Sequence, residues 1–415
     1  VSKSTRRRRT IARHGQLRTP GPISQLLTFI AIGLSVVLVS GIAVAGYVIY
    51  DLTSTVSANA VELEGQKELP PDIGAYEGGF NLVLTGVDTC EDAYKQYFGA
   101  RCTGKDSEGT LNDVNLLVHV SDAPRRVTVV SFPRDLMVRI PQCEDAAGKT
   151  HSEMSKQQIN TSYTDGGLNC VVKTISELTG QEVQFAASVT FGGVIEITNA
   201  IGGVDVCLAS PIRDKYTSLN LPAGTHTLQG LQALQFLRTR HGVGDGSDLG
   251  RIGNQQQYMT NLAKKLISGE TLGNVPVMLK LATTAIDNLE PSESLADPMK
   301  IVQIALALKS VKYEDIVFLQ YPTNTDPDDK NRVVPNKSAA QAMWDAINAN
   351  AQLQVTHQNS DREGVIVTDP GPTQTPVDPS ATPDPNATPE NVVALPDTIK
   401  GNSAAQTTCS NGKVN

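Results

Sequence analysis

The chain has 415 residues, 40% of them hydrophobic, and a formal charge of −8, so one large folded domain or two ordinary ones are within reach. Aromatic residues make up only 5%, with one tryptophan, Trp344, which gives no support to a carbohydrate cleft lined with indole rings.

The first segment is basic. "KSTRRRRTIARHGQLR" carries Lys3, Arg6 to Arg9, Arg13 and Arg18 and no acid, and residues 26–50 follow without a charge. As a helix they would span about 37 Å, enough for a bilayer core of about 30 Å. The basic flank predicts a cytoplasmic tail over 1–25, a membrane-spanning helix over 26–50 and an extracytoplasmic remainder: a single-pass cell-membrane protein. A cleaved signal peptide is the alternative, with "ANA" at 58–60 as a loose cleavage site, but the apolar run is long for one. No nucleic-acid partner is expected, because the arginine run sits directly before the apolar segment. Without those seven cations, 28 basic residues face 43 acidic ones, a formal charge of −15. Arginines clustered in this remainder are therefore a local feature.

Residues 51–75 read as a polar spacer. Alternating, β-branched runs at "FNLVLTGVD", "LLVHVS" and "RRVTVVSFPRD" predict strands. "CVVKTISELTG" predicts a helix ending on Gly180, and "FGGVIEITNAIGG" a second one. "VDVCL" reads as a strand. "TLQGLQALQFL" places Leu228, Leu231, Leu234 and Leu237 on one helical face, with Thr227 as its N-cap. "SDLGRIGNQQQYMTNLAKKLISG" predicts a helix capped by Ser247 or Asp248, "YEDIVFLQYP" a strand and "SAAQAMWDAINAN" a helix. This mixture predicts one α/β domain over 76–360, a mixed central sheet flanked by helices. Residues 361–415 begin with a Pro/Thr/Asp-rich linker and end in a polar tail.

Six cysteines agree with an oxidising compartment. Cys90 and Cys102 bracket a short loop, Cys143 and Cys170 a longer one, and Cys207 and Cys409 remain to pair by elimination. Their spacing does not suggest zinc.

"LQFLRTRHGVGDGSDLGRIGNQQQ", residues 234–257, concentrates the chemistry. Arg238 and Arg240 lie two apart, and Arg251 and Gln255 share a helical face. The glycines between allow the two ends to approach. Planar guanidiniums take phosphate oxygens two at a time, and several together suit a diphosphate; Asp245 and Asp248 are candidates to orient them. Surface salt bridges around a loop are the plainer reading. Asp88, Asp113, Arg134 and Asp135 add charge at strand ends, where ligands of α/β sheets gather. Paired carboxylates such as Asp88 and Asp113 are what Mg²⁺ needs beside phosphate oxygens. His119, inside a strand, reads as a packing residue. His241 lies in the glycine loop.

The ordered motifs "LVLTGVD", "NDVNLLVHVS", "VVSFPRDLMVRIP", "INTSYTDGG", "AIGGVDV", "LQGLQALQFLRTRHGVGDGSDLGRI" and "NQQ" resemble the LytR-CpsA-Psr family of cell-wall ligases over about residues 78–270. The resemblance implies a Mg²⁺-assisted phosphotransferase that moves a glycopolymer from a polyprenyl-pyrophosphate carrier to a peptidoglycan hydroxyl, with the prenyl tail in an apolar tunnel. It implies metal-associated Asp88 and Asp113, a pyrophosphate-binding set of Arg134, Arg238, Arg240, Arg251 and Gln255, and Asp135 orienting Arg134. Three positions often basic in the family are Leu111, Gln158 and Asn254 here. The cysteines and "RTRHGVGDGSD" suit the actinobacterial branch. A non-catalytic polyprenyl-phosphate-binding regulator and a polyprenyl pyrophosphatase are the alternatives.

Overall fold

The computed structural model describes residues 60–63, 79–98, 102, 110–272, 274–356, 364–370 and 392–413, together with Ile30, Ile32, Val36 and Ser40. The chain divides into two units, Val1–Ser54 and Thr55–Asn415. In the first unit the four described residues are helical and exposed. The rest of the expected membrane segment lies outside the described residues, among which no helix is long and apolar enough to cross a membrane.

The second unit is built on a mixed sheet. Among the described residues it has seven strands: β1 (Phe80–Val87), β2 (Asn112–Val120), β3 (Val127–Phe132), β4 (Phe185–Val189), β5 (Leu289–Pro291), β6 (Ile316–Gln320) and β7 (Gly401–Ser403), in the order β5-β4-β1-β2-β3-β6-β7. β1–β2–β3 is an antiparallel meander, whereas β4 joins β1 and β6 joins β3 in parallel. The predicted mixed central sheet is thus present.

Helices cover both faces. On one, α1 (Ser162–Thr179) and a later helix (Lys337–Asn348) bury Ile175, Met343 and Trp344 against Val83, Leu117 and Val130. α1 ends on Gly180 in the left-handed conformation, as expected. On the other face lie α4 (Asp248–Leu266) and a helix over Pro298–Ala307, whose Met259, Ala263, Ile301 and Ile304 approach Phe80, Val129 and Phe318. Between α1 and α4 come α2 (Phe191–Ala200) and α3 (Gly230–Arg238). Thr227 is not the N-cap of α3. It belongs to a strand, Gly224–Leu228, that pairs with Val204–Leu208 and ties its hydroxyl to Asp205, and the helix begins only at Gly230. Helical leucine spacing does not by itself mark where an adjoining hairpin strand ends.

Both expected domain edges move. Within the predicted spacer, Val61 pairs with Ser292 and Leu63 is buried in the core. The C-terminal segment is part of the domain. β7 closes the sheet along β6, and Thr407–Ser410 lies between Val365–Asp369 and Val204–Leu208 in a second, four-stranded sheet. At Gly401 a Cβ would lie 2.1 Å from the Phe318 carbonyl oxygen, so only glycine allows this approach. The polar composition of the tail hid its burial. Gln257 donates to the Thr408 carbonyl at 2.7 Å and accepts from the Ser410 hydroxyl at 2.6 Å, so these groups are buried but satisfied. All three cysteine pairs form disulfides: Cys90–Cys102, Cys143–Cys170 and Cys207–Cys409.

Candidate functional site

The end of β1 and the start of β2 define the site. Val87 pairs with Asn112 but Gly86 pairs with Val114. Asp113 is therefore the extra residue of a β-bulge, a device that re-aims a side chain. Buried amides fix the bulge from behind. Asn112 accepts from the Tyr163 N–H at the start of α1 (3.2 Å) and donates to Asn115 (2.7 Å), which also accepts from Thr85 (3.0 Å). Asp88 is buried, and its Oδ1 accepts the Leu111 N–H at 2.7 Å. Leu111, one of the three non-basic positions, thus serves Asp88 through its backbone.

Arg134 follows β3 and donates to Asp113 Oδ1 at 3.1 Å, with Asp135 and Asp248 each 3.7 Å from its Nε. Burial alone would lower its pKa, but the carboxylates of Asp113, Asp248 and Asp135 outweigh burial and raise it. Asp248 opens α4, where the helix dipole favours an acid, and lies 3.1 Å from Arg251 Nη2. Arg251 is buried and also donates to the Asp113 carbonyl at 3.3 Å. Asp135 Oδ1 accepts from Gln158 (2.9 Å) and from Arg332 (2.6 Å). One ion network thus runs from Arg332 through Asp135, Arg134 and the Asp113/Asp248 pair to Arg251. Asp248 does orient arginines. Asp245 instead accepts the Ser247 N–H at 2.8 Å within the exposed loop.

Arg238, at the end of α3, rests on an aromatic pair, its guanidinium carbon 4.4 Å from the Phe191 ring centroid and 5.1 Å from that of Phe98. Phe98 belongs to the segment closed by Cys90–Cys102. That segment is docked on α2 by Glu91, which accepts the Gly192 N–H at 2.7 Å, and by Tyr94, which donates to Glu196 at 2.7 Å. Arg240 is placed by Asp214, which accepts the Thr239 hydroxyl at 2.7 Å and the Arg240 and His241 N–H groups at 3.1 Å. Burial would raise the Asp214 pKa, but these bonds and the Tyr216 N–H hold it below the usual range. Gln255 donates to the Leu237 carbonyl at 3.0 Å, tying α4 to the last turn of α3. The Nε atoms of Arg134, Arg240 and Arg251, and both amide atoms of Asn254, are buried with no hydrogen-bond partner among the described residues. The three guanidinium Nε–H groups and the Asn254 amide nitrogen are unmet donors, which suit an anion, while the Asn254 oxygen, like Asp248 Oδ1, is an unmet acceptor. His119 is a packing residue, as read: it bonds Asn81 at 2.8 Å, and burial pushes its pKa down to about 4. His241 is exposed, its ring 4.6 Å from that of Tyr216.

An apolar strip adjoins this charge. Leu82, Leu84, Leu116 and Val118 are cross-strand neighbours on the α4 face of the two innermost strands, where full burial is the rule. They are only partly buried, although Phe80, Val120 and Phe185 beside them are fully so. Asp113 lies three residues from Leu116, so the strip runs up to the ion network. Mg²⁺ usually takes one or two carboxylates and completes its shell with water and phosphate oxygens. Asp88 and Asp113 stand at adjoining strand ends and offer two carboxylates for such a shell, the Oδ1 of each already bonded, to the Leu111 N–H and to Arg134. Among the described residues no group of three or more His, Cys, Asp or Glu is arranged to hold a metal by itself, so the ion would need phosphate oxygens.

Asp113, Arg134, Asp135 and Arg251 therefore join one network, whereas Asp88, Arg238, Arg240 and Gln255 are placed by other partners. Arg332, Phe98 and Phe191 were not anticipated. The bond from Arg332 to Asp135 spans 197 residues of chain, and no motif surrounds it. Phe98 could have been sought within the Cys90–Cys102 loop.

Comparison with known proteins follows the same lines. The chain is 27% identical over 317 residues to the cell wall biosynthesis protein LcpA of Corynebacterium glutamicum, covering 71% of this chain and 59% of that protein. It is 26% identical over 239 residues to TagT of Bacillus subtilis, named a polyisoprenyl-teichoic acid–peptidoglycan teichoic acid transferase, covering 56% of this chain and 66% of TagT. The chain thus spans less than two thirds of the length of either relative. A solved structure of TagT bound to LI-WTA shares the fold with a TM-score of 0.50 at 22% identity, covering 70% of this chain and 98% of that one. The sequence profile of the LytR_cpsA_psr family matches residues 46–351, and with the motif order and the fold in agreement, the chain belongs to that family.

Proposed function

We propose that this protein is a membrane-anchored phosphotransferase that moves a glycopolymer from a polyprenyl-pyrophosphate carrier to a peptidoglycan hydroxyl. The observation that carries the reading is the junction of an incompletely buried apolar strip, Leu82, Leu84, Leu116 and Val118, with the network of Arg134 and Arg251 at Asp113. Such a junction matches a ligand with an apolar tail and a doubly charged head. The relatives named as cell wall biosynthesis and teichoic acid transferase proteins support the same class of substrate.

The chemistry follows from the residues. Arg134, Arg238, Arg240 and Arg251 hold the diphosphate and neutralise charge that builds on it. The acceptor hydroxyl attacks the phosphorus nearer the glycan, and the bond to the second phosphate breaks. Polyprenyl phosphate leaves, and the hydroxyl proton passes to a carboxylate of the Asp88/Asp113 pair. Those two carboxylates would also hold Mg²⁺, which supplies further charge neutralisation when bound. The nucleophile belongs to the substrate, so no Ser-His-Asp arrangement is called for. The uncharged segment 26–50 would anchor the domain beside its lipid carrier.

The test uses the protein with a polyprenyl-pyrophosphate-linked sugar, a peptidoglycan oligomer and Mg²⁺, read by mass spectrometry. A glycan–phosphate–peptidoglycan adduct that Arg238→Ala and Arg251→Ala both abolish is expected. Release of sugar phosphate unaffected by added peptidoglycan would instead identify a pyrophosphatase, and lipid binding without turnover a binding protein.

A further inference from the structure

We propose that Arg332 is a positioning residue of this site, and that the hairpin carrying it fixes the diphosphate-binding geometry of Arg134. The inference rests on the reading of the site as a prenyl diphosphate site.

The hairpin runs from Thr323–Thr325 to Val333–Pro335, two short antiparallel strands around "DPDDKNR". It grips the turn after β3 in three ways. Leu136 and Val333 form a parallel bridge. The Val333 N–H donates to the Asp135 carbonyl at 3.3 Å. Arg332 Nη1 donates to Asp135 Oδ1 at 2.6 Å. The hairpin is itself built to hold Arg332. The Arg332 N–H closes a turn onto the Asp329 carbonyl at 2.9 Å, and Lys156 bolts the loop by donating to Asp326 at 2.9 Å and to Asp328 at 2.5 Å.

Asp135 therefore stands between two guanidiniums, with Arg332 on Oδ1 and Arg134 3.7 Å from Oδ2. Without Arg332, Oδ1 would keep only the neutral Gln158 amide at 2.9 Å. Asp135 would then be drawn further onto Arg134, which already faces Asp113 and Asp248. A guanidinium facing three carboxylates, of which only Asp248 then keeps a second cation, Arg251, has less attraction left for an incoming anion. Arg332 offsets one of the three and leaves Arg134 available to phosphate.

Gln158 and Arg332 donate to the same oxygen, so the geometry supplies its own control. A lysine at 158 would bring a cation to Asp135 Oδ1 from a different strand, Met154–Gln158.

The experiment is isothermal titration of the full chain with farnesyl diphosphate, using Arg332→Gln, Arg332→Lys and the Gln158→Lys/Arg332→Gln double variant, with thermal unfolding as a check on the fold. Losing one charge-assisted bond predicts about a tenfold rise in Kd for Arg332→Gln. Arg332→Lys and the double variant should return to within about threefold of wild type, half of that tenfold step on a logarithmic scale. A merely structural role would not be repaired from position 158. If Arg332→Gln binds like the wild type, or if either Arg332→Lys or the double variant, once folded, fails to return to within about threefold of the wild type, the inference is overturned. A wild-type protein that does not bind farnesyl diphosphate overturns the diphosphate reading itself, and the inference with it. Should Arg332→Gln not fold, Arg332→Lys and the double variant decide, since the proposal requires both to bind.

Discussion

The pair formed by Arg251 and Asp248 allows the ion network to be tested without any assumed substrate. Arg251 is 7% exposed, and its Nη2 lies 3.1 Å from Asp248 Oδ1. Arg251→Met keeps the packing of the side-chain stem but strands a largely buried carboxylate. Breaking a buried pair from one side costs about 3–5 kcal/mol. Asp248 would retain Arg134 at 3.7 Å, so the lower end, about 3 kcal/mol, is expected. Asp248→Asn leaves Arg251 with the Asp113 carbonyl at 3.3 Å and should cost about 2 kcal/mol. The double variant strands no charge and should cost about 3 kcal/mol, a coupling of about 2 kcal/mol. With about 2.1 cal/mol/K of unfolding entropy per residue over roughly 300 ordered residues, 3 kcal/mol corresponds to a fall of about 5 °C in Tm. Urea unfolding of the four proteins measures the cycle. If the two single losses add to the double loss within about 0.5 kcal/mol, the pair is not coupled and the network as drawn is wrong.

Three further outcomes follow from the same geometry. Cys207–Cys409 closes 202 residues and Cys90–Cys102 only 12, so chain entropy assigns about 5 kcal/mol to the first and about 3 kcal/mol to the second; Cys409→Ser should lower Tm more than Cys102→Ser in calorimetry. Burial holds His119 down to about 4 against about 6.5 unfolded, so its stabilisation is complete above pH 6.5 and is lost as pH falls towards 4. Urea titrations should show that His119→Gln removes up to about 3 kcal/mol of that acid sensitivity. Phe98→Ala takes away one of the two rings under Arg238, a contact worth about 1–2 kcal/mol when desolvated, and should weaken farnesyl diphosphate binding about fivefold to thirtyfold; unchanged affinity would show that Arg238 does not depend on it.

The central sheet was legible because its inner strands alternate. In β1, Asn81, Val83 and Thr85 face α1 while Leu82 and Leu84 face α4, and the period of two is plain in the residues. The C-terminal strands were not legible. Apart from Gly401 and Cys409, their buried residues are Asn402, Thr408 and Ser410, and no composition rule places such polar residues inside a fold. Their burial depends on partners far away in sequence, Thr260 and Gln257 on α4. The disulfide to Cys409 was the one local sign that the tail returns.

The site shows the same division between local and distant causes. Asp113, Arg134, Asp135 and Arg251 stand at the ends of strands and helices whose boundaries the sequence marks, so their convergence could be argued from elements alone. What the elements could not show is how the charges balance. Arg134, Arg251 and Arg332 face Asp113, Asp135 and Asp248 within a single network, three formal cations against three anions. Such a network holds its geometry, and a diphosphate must compete with its carboxylates for Arg134 and Arg251. Arg238 rests against aromatic rings and Arg240 is placed through its backbone by Asp214, outside that network. Arg134 and Arg251 therefore hold the network together as well as facing the ligand, whereas Arg240 takes no part in the network's pairs. Neutralising Arg240 should weaken diphosphate binding with little loss of stability, whereas neutralising Arg251 should cost both.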